Sequence, residues 1–449
     1  MATRVVGLHF HTLSSGNVTV SERMKKSIWT KLLLGNFALL ALGFLGAKVV
    51  DGWSRRATPE RIALGRQIFE HKWEPGDSMS VEGDGLGPVF NARSCAECHF
   101  QGGVGGGGPN EFNVLSFEVL PFGERIQMVG GVVHAFATND ELTESSDNLR
   151  KLYPAIDAGP RIVDGCLVQS RAFDPVAFNT VNTPPLFGLG LIDEISDRAI
   201  QVNGINRNLH AMSRSFDGDF STTPVGRLRT PSVGRIGKFG WKGQFATLED
   251  FVATACAVEL GLTNPLRAQD IPKSHQPDED AKLDIDKKQL RALVCFVENL
   301  PRPEQILPTD SKARAQALRG EELFSEIGCA DCHTPKMGHV AGVYSDFRLH
   351  DVDSDEGHSY GDMIPDDVEV PDGHPKPEEW KTPPLWGVAD SAPYFHDGNS
   401  PTLGSAISRH DDDARNSKQR FESLLSEERE AVIAFLGTLR APVGLEEPR

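Results

Sequence analysis

Two five-residue stretches limit what this chain can fold into more than any other feature. They are Cys95-Ala96-Glu97-Cys98-His99 and Cys329-Ala330-Asp331-Cys332-His333. C-x-x-C-H is the attachment pattern of a c-type haem. On one helical turn, positions i, i+3 and i+4 share a face. Both thiols therefore reach the porphyrin edge while the histidine reaches the iron as an axial ligand. A zinc site would gather four ligands, whereas these motifs lie in opposite halves of the 449-residue chain. A thioredoxin-like motif would occur once, within a βαβ unit. The spacing predicts two covalent haems, one on Cys95, Cys98 and His99, the other on Cys329, Cys332 and His333.

The surroundings of the motifs repeat as well. Gly65-Arg66-Gln67-Ile68-Phe69 precedes the first and Gly320-Glu321-Glu322-Leu323-Phe324 the second, each near the end of a predicted helix, 59–71 and 311–327. Thr183-Pro184-Pro185-Leu186-Phe187-Gly188 is echoed by Thr382-Pro383-Pro384-Leu385-Trp386-Gly387. Trp241-Lys242-Gly243 with Thr247-Leu248 matches His396-Asp397-Gly398 with Thr402-Leu403. Each half closes on apolar residues at helical spacing: Leu293, Phe296 and Leu300, then Val432, Phe435 and Leu439. The expected fold is mainly α, with two cytochrome c-like haem domains and long loops. The domains are expected at 58–303 and 304–449, divided within the proline-rich 301–308, behind an N-terminal signal or anchor segment with its linker at 1–57. Extra material in the first half falls between 100 and 182 and between 192 and 229. The glycine run 102–108 reads as a flexible loop, because no strand–helix context supports a phosphate cradle.

The repeat also allows the second axial positions to be compared. Seven residues past Leu403 stands His410; seven past Leu248 stands Ala255, which cannot ligate iron. The second haem is expected to be six-coordinate through His333 and His410, with no ligand at the matching place in the first half. An iron with two protein ligands transfers electrons, and one with an open position can bind an oxidant. Against His410 stand its acidic neighbours, Asp411 to Asp413, which suit a surface histidine. Met337 follows His333 too closely to cross the haem, and Met363 lies in an acidic stretch, 351–372. For the first haem, His71, Met128, His134, Met212 and Cys256 remain resting-ligand candidates.

Composition narrows the partners. With 63 acidic against 46 basic side chains the formal charge is -17, which excludes nucleic-acid binding through a basic surface and docking to anionic lipid through a broad basic patch. Seven cysteines make no disulfide scaffold. Once four are assigned to the motifs, Cys166, Cys256 and Cys295 are left as buried thiols or one disulfide and a thiol. Near the N-terminus Met24, Lys25, Lys26 and Lys31 precede an apolar stretch at 32–47. That pattern suits a secretory signal, or an uncleaved membrane anchor over 28–50, with Met24 as an alternative start. Either implies a periplasmic or otherwise extracytoplasmic location, the setting of c-type haem attachment.

With these residues assembled, the chain resembles the di-haem oxidoreductase family, related to bacterial di-haem cytochrome c peroxidases and MauG-type enzymes. The resemblance covers about residue 58 to the C-terminus. It rests on Gly87-Pro88-Val89-Phe90-Asn91-Ala92-Arg93-Ser94, on Phe239-Gly240-Trp241-Lys242, on both Thr-Pro-Pro-Leu stretches, and on Ala392-Pro393-Tyr394-Phe395-His396-Asp397-Gly398. The position of His410 is a methionine in the peroxidases and a tyrosine in MauG-type enzymes. An imidazole there implies a lower reduction potential. The resemblance further implies that Trp241 is an electron relay between the haems and that Glu259 is the distal acid–base carboxylate, with Gln244 a weaker pocket candidate. A plain buried indole and a plain helix glutamate are the competing readings. The peroxidases also hold Ca2+ between their halves; no ligands for it stand out here. The implied activity is reduction of hydrogen peroxide or a similar oxidant, with a redox protein as electron partner. The alternatives are oxidation of a partner protein or sulfur compound, and a di-haem electron carrier without catalysis.

Overall fold

The structure, a computed structural model, describes residues 57–444 other than 121–128, 156–159, 164–165, 170–171, 173, 217–223, 233, 277–279, 353–374 and 377. Residues Ala57–Arg449 form one compact unit. The expected signal or anchor segment lies outside the described residues, among which no helix is long and apolar enough to cross a membrane. The described residues form twelve α-helices with short strands between them. Nine of the helices position the site: α1 (Pro59–Glu70), α2 (Cys95–Cys98), α3 (Asp197–Phe216), α4 (Leu248–Glu259), α5 (Lys287–Glu298), α6 (Ser311–Glu326), α7 (Cys329–Cys332), α8 (Leu403–Arg409) and α9 (Ser426–Leu436).

The repeated glycines mark two helix crossings. α1 begins at Thr58, whose hydroxyl accepts from Arg61 N, with Pro59 at the first position where a missing N–H is harmless. It packs on α5, which opens with a capping box between Asp286 and Gln289. A Cβ on Gly65 would fall 2.0 Å from the Ala292 carbonyl oxygen. The second half repeats the arrangement: α6, capped by Asp310, packs on α9, and a Cβ on Gly320 would fall 1.8 Å from the Ala431 carbonyl oxygen. Only glycine lets the two backbones approach this closely.

One hydrophobic core surrounds the second pair, with Leu323, Phe324, Phe421, Val432 and Phe435. The larger core contains Phe69, Ile192, Phe239, Leu293 and Phe296, and draws in Met337, Val340, Phe347 and Trp386 from the second half. Part of the extra material expected at 100–182 is an antiparallel sheet. Its strands are β1 (Val114–Val119), β2 (Val129–Val133) and β3 (Val176–Val181), with β1 in the middle. Phe117, Val119, Leu149 and Val176 form a small core beneath it. The glycine pair Gly130-Gly131 inside β2 disguised that strand, since glycine is depleted in strands. In the second half β4 (Leu349–Asp351) pairs with β5 (Glu379–Lys381), setting His350 opposite Trp380. The glycine run is also unlike the expected flexible loop. Residues 103–108 are buried, and a Cβ on Gly106 would fall 1.8 Å from the Gln101 carbonyl oxygen.

Candidate haem sites

The same local construction holds both motifs. The serine before α2 caps it, Ser94 Oγ accepting from Glu97 N, whereas α7 follows Gly328 in a left-handed conformation. Each helix is a single turn, closed by His99 N donating to Cys95 O and His333 N to Cys329 O, both at 3.0 Å. Phe69 lies 5.2 Å from Phe296 and 6.4 Å from His99, centroid to centroid. Phe324 lies 5.3 Å from Phe435 and 6.2 Å from His333. The helix crossings thus place one aromatic ring against each motif histidine.

Three imidazoles are held by backbone carbonyls. His99 Nδ1 lies 3.0 Å from Gly106 O, His333 Nδ1 3.1 Å from Tyr344 O, and His410 Nδ1 2.8 Å from Ala406 O. A carbonyl oxygen only accepts, so each Nδ1 carries the proton and each Nε2 keeps its lone pair, the tautomer a metal requires. Burial pulls His99 and His333 down to about 4, which leaves them neutral at pH 7. Burial pushes the Cys95 and Cys329 thiols up to about 12 and that of Cys98 higher still, unlike the thiolates of redox C-x-x-C motifs.

His333 and His410 face one another with ring centroids 6.4 Å apart. Metal–imidazole bonds are ~2 Å long, and a ring centroid lies about 1 Å from its nitrogen. Two imidazoles on opposite sides of one ion therefore stand roughly 6 Å apart, and the pair fits a haem iron. His410 is the C-cap of α8, where the backbone leaves the helix with ψ 127. Phe395 sets its ring edge-on to His410 at 5.3 Å. The Arg409 guanidinium lies 4.1 Å over Phe395 and pairs with both Asp397 oxygens at 2.7 and 3.0 Å.

A cavity of about 270 Å3 has Cys329, His333, His410, Trp380, Lys381 and Trp241 in its lining. Trp241 Nε1 donates to Asn182 O, and the Trp241 carbonyl accepts from Lys381 N, both at 2.8 Å. The indole is therefore fixed within the first half, while its backbone is tied to the second.

The first half differs beyond its motif. α4 does not stop at Ala255 but continues to Glu259. Cys256 and Glu259, three positions apart on α4, neighbour the motif cysteines. Burial, with Cys95 nearby, pushes up the Cys256 thiol, and Glu259 adds to the burial that raises Cys98. Asn91 Nδ2 donates to Glu259 Oε2 at 2.7 Å. Burial lifts the Glu259 carboxyl above its ordinary range despite that bond. Among the described residues His99 has one ring neighbour, Phe69.

The other candidates are placed as follows. His71 pairs with Asp77 at 2.9 Å, Met212 is 57% exposed and Met337 is core. His134 Nε2 is 2.9 Å from the Val258 carbonyl, and Gln244 Oε1 accepts from Lys242 N at 3.0 Å. Met128 and Met363 lie outside the described residues. All seven cysteines are unpaired, Cys166 exposed, Cys256 and Cys295 buried.

A buried network beside Cys332 has no counterpart in the sequence motifs. His350 Nδ1 lies 3.7 Å from the Cys332 sulfur and His350 Nε2 3.0 Å from Asp346 Oδ2, which also accepts from Arg207 of α3 at 2.7 Å. Against the cost of burial, Cys332 and Asp346 hold the His350 imidazole above its ordinary value. Cys332, Asp346 and His350 each bring a ligand atom within 4.8 Å of the others. The Arg207 guanidinium on Asp346 opposes a cation there, and Cys332 belongs to the second haem motif. The network therefore reads as support for that motif. It could not be seen in sequence because Arg207 and Asp346 are distant in the chain.

Fold and site together define a haem-dependent oxidoreductase. The family described as "Di-haem oxidoreductase, putative peroxidase" matches residues 148–439, and the chain belongs to it. No curated protein matches the chain. Among solved structures, hydrazine synthase of Kuenenia stuttgartiensis, pressurized with 20 bar xenon, shares 14% identity over 86% of this chain and 88% of that one, with a TM-score of 0.39. A MauG-like protein associated with microbial copper homeostasis shares 14% identity over 86% and 90%, with a TM-score of 0.37.

Proposed function

We propose that the chain is an exported c-type di-haem peroxidase with unequal halves, 58–303 and 304–449. Cys95 and Cys98 would hold one haem and Cys329 and Cys332 the other through thioether bonds, with His99 ligating the first iron and His333 and His410 the second. Once bound, the haems supply the redox chemistry that reduces hydrogen peroxide or a similar oxidant. The observation that carries this reading is the asymmetry of the two halves. His410 stands opposite His333, whereas helix α4 brings Glu259 to the first motif.

The protein's own groups then divide the work. Glu259 takes a proton from one peroxide oxygen and returns it to the other, the role of a general acid–base. Its pKa, raised by burial, suits both directions of transfer. Trp241, fixed at Nε1 by Asn182 O, carries electrons between the halves. Export rests on the basic and apolar N-terminal pattern and on the attachment motifs. A redox protein is the electron partner, and a Ca2+ ion between the halves would follow the related peroxidases.

Electron paramagnetic resonance and peroxide assays on the purified holoprotein test the reading. One low-spin haem, one high-spin haem on partial reduction, and peroxide-driven oxidation of a reduced cytochrome are expected. Low-spin haem alone with no peroxide reaction would make the chain an electron carrier. Peroxide binding without oxidation of small donors would point to oxidation of a partner protein.

A further inference from the structure

Three buried lysines lie where the two halves join, and they differ in how their charge is met. Lys238 Nζ donates to Asp193 O at 2.6 Å and Ile195 O at 3.0 Å, with an Asp193 carboxylate oxygen at 3.8 Å. Lys242 Nζ donates to Lys376 O at 3.0 Å and lies 4.4 Å over the Trp380 ring. Lys381, 5% exposed, has the Thr382 carbonyl at 3.4 Å and the Phe347 ring at 5.8 Å. Among the described residues no carboxylate oxygen lies within 4.0 Å of its ammonium. The acid that acts on it, Asp346, is already bound to Arg207 and His350. A buried charge without a counter-charge is strongly disfavoured, and native proteins pair it. Lys381 lines the cavity that also reaches Cys329, His333 and Trp241.

We propose that Lys381 is the counter-ion of a carboxylate that enters this cavity, a propionate of a bound haem. The inference rests on the haem-binding part of the reading above and not on peroxidase activity. Two observations favour a propionate over a free carboxylate. The porphyrin bears its propionates on the edge away from the thioethers, so a haem fixed by its cysteines presents them at a distance from the motif. The chain's net charge of -17 opposes entry of a free anion from solvent. Burial pulls the lone ammonium down to about 8, so it is largely charged at pH 7 and available to such a partner.

The test compares Lys381→Met and Lys381→Arg in the purified holoprotein. Haem content is read from the pyridine haemochrome and the midpoint potentials of both haems from a spectroelectrochemical titration. A cation beside a haem favours its less positive, reduced state. Lys381→Met should therefore lower the potential of at least one haem at full haem content, and Lys381→Arg should keep it near the wild-type value. Insensitivity of the wild-type potential to added acetate assigns the carboxylate to the haem. An acetate-dependent shift that Lys381→Met abolishes would keep the carboxylate site but make its source free in solution. Unchanged potentials in a fully loaded Lys381→Met protein would overturn the proposal. A wild-type protein without haem fails in the haemochrome assay, which separates loss of the underlying reading from loss of this one.

Discussion

Helices α4 and α8 start alike and end differently. Thr247 and Thr402 cap them through the backbone N–H groups of Asp250 and Ser405. α8 then ends at Arg409, and the next residue, His410, turns its ring toward His333. α4 passes the equivalent Ala255 and ends at Glu259. Two halves with the same helix crossing thus carry different groups beside their motifs, an imidazole facing His333 and a carboxylate near Cys98.

The predictions attack that difference. The largest effect is expected from His410→Gly, which should remove the low-spin signal of the second haem altogether. An unaltered signal would show that His410 is not the ligand and would erase the contrast. Glu259→Gln should slow peroxide reduction ~10²–10⁴-fold with both haems in place. In the wild type the rate should rise as pH passes upward through the raised Glu259 value, because the base form accumulates there. The Gln variant should lose that rise in a stopped-flow pH series. The same carboxyl should make the native protein less stable over the window from its ordinary to its raised value. There the native state retains a proton that the unfolded chain has released. Denaturant midpoints of wild type and Glu259→Gln at several pH values check the sign.

Trp241→Phe should slow electron passage between the haems while leaving both spin states as they are. Loss of its bond to Asn182 O should cost about 1 kcal/mol, visible as a lowered melting temperature. Rapid-mixing spectra that show equal rates of haem reduction in both proteins would remove the relay. The smallest effect is expected from Phe395→Leu, which takes away the ring set against His410. Such an aromatic contact contributes roughly 0.5–1.5 kcal/mol. A modest change in the low-spin g-values should result; an identical spectrum would mean that the Ala406 hydrogen bond alone orients the imidazole.

Much of the site could be read from the chain because its parts are local. Cys, Cys and His at i, i+3 and i+4 share one helical turn wherever the turn lies. The repeated glycine–phenylalanine segments were visible as sequence, and the structure gives them a cause in the close helix crossings at Gly65 and Gly320. The seven-residue interval led to His410 because α8 starts from a recognisable threonine cap. The same interval was less informative at Ala255, since sequence does not reveal that α4 runs on. The glycine run 102–108 suggested freedom, but folding makes it a packed loop whose Gly106 carbonyl holds His99.

Residue type and short spacing alone show the two Cys-x-x-Cys-His motifs, their duplication, His410 against Ala255 at equal intervals, and the net charge of -17. Those features depend on residue type and short spacing, and they survive any tertiary arrangement. Folding alone brings Asn91 to Glu259, sets Arg207 and His350 on the same Asp346, and buries Lys381 with no carboxylate oxygen within 4.0 Å among the described residues. These pairings join residues far apart in the chain. What fixes them is the cost of leaving a buried charge or polar group unmet, a cost that exists only once packing has removed the water.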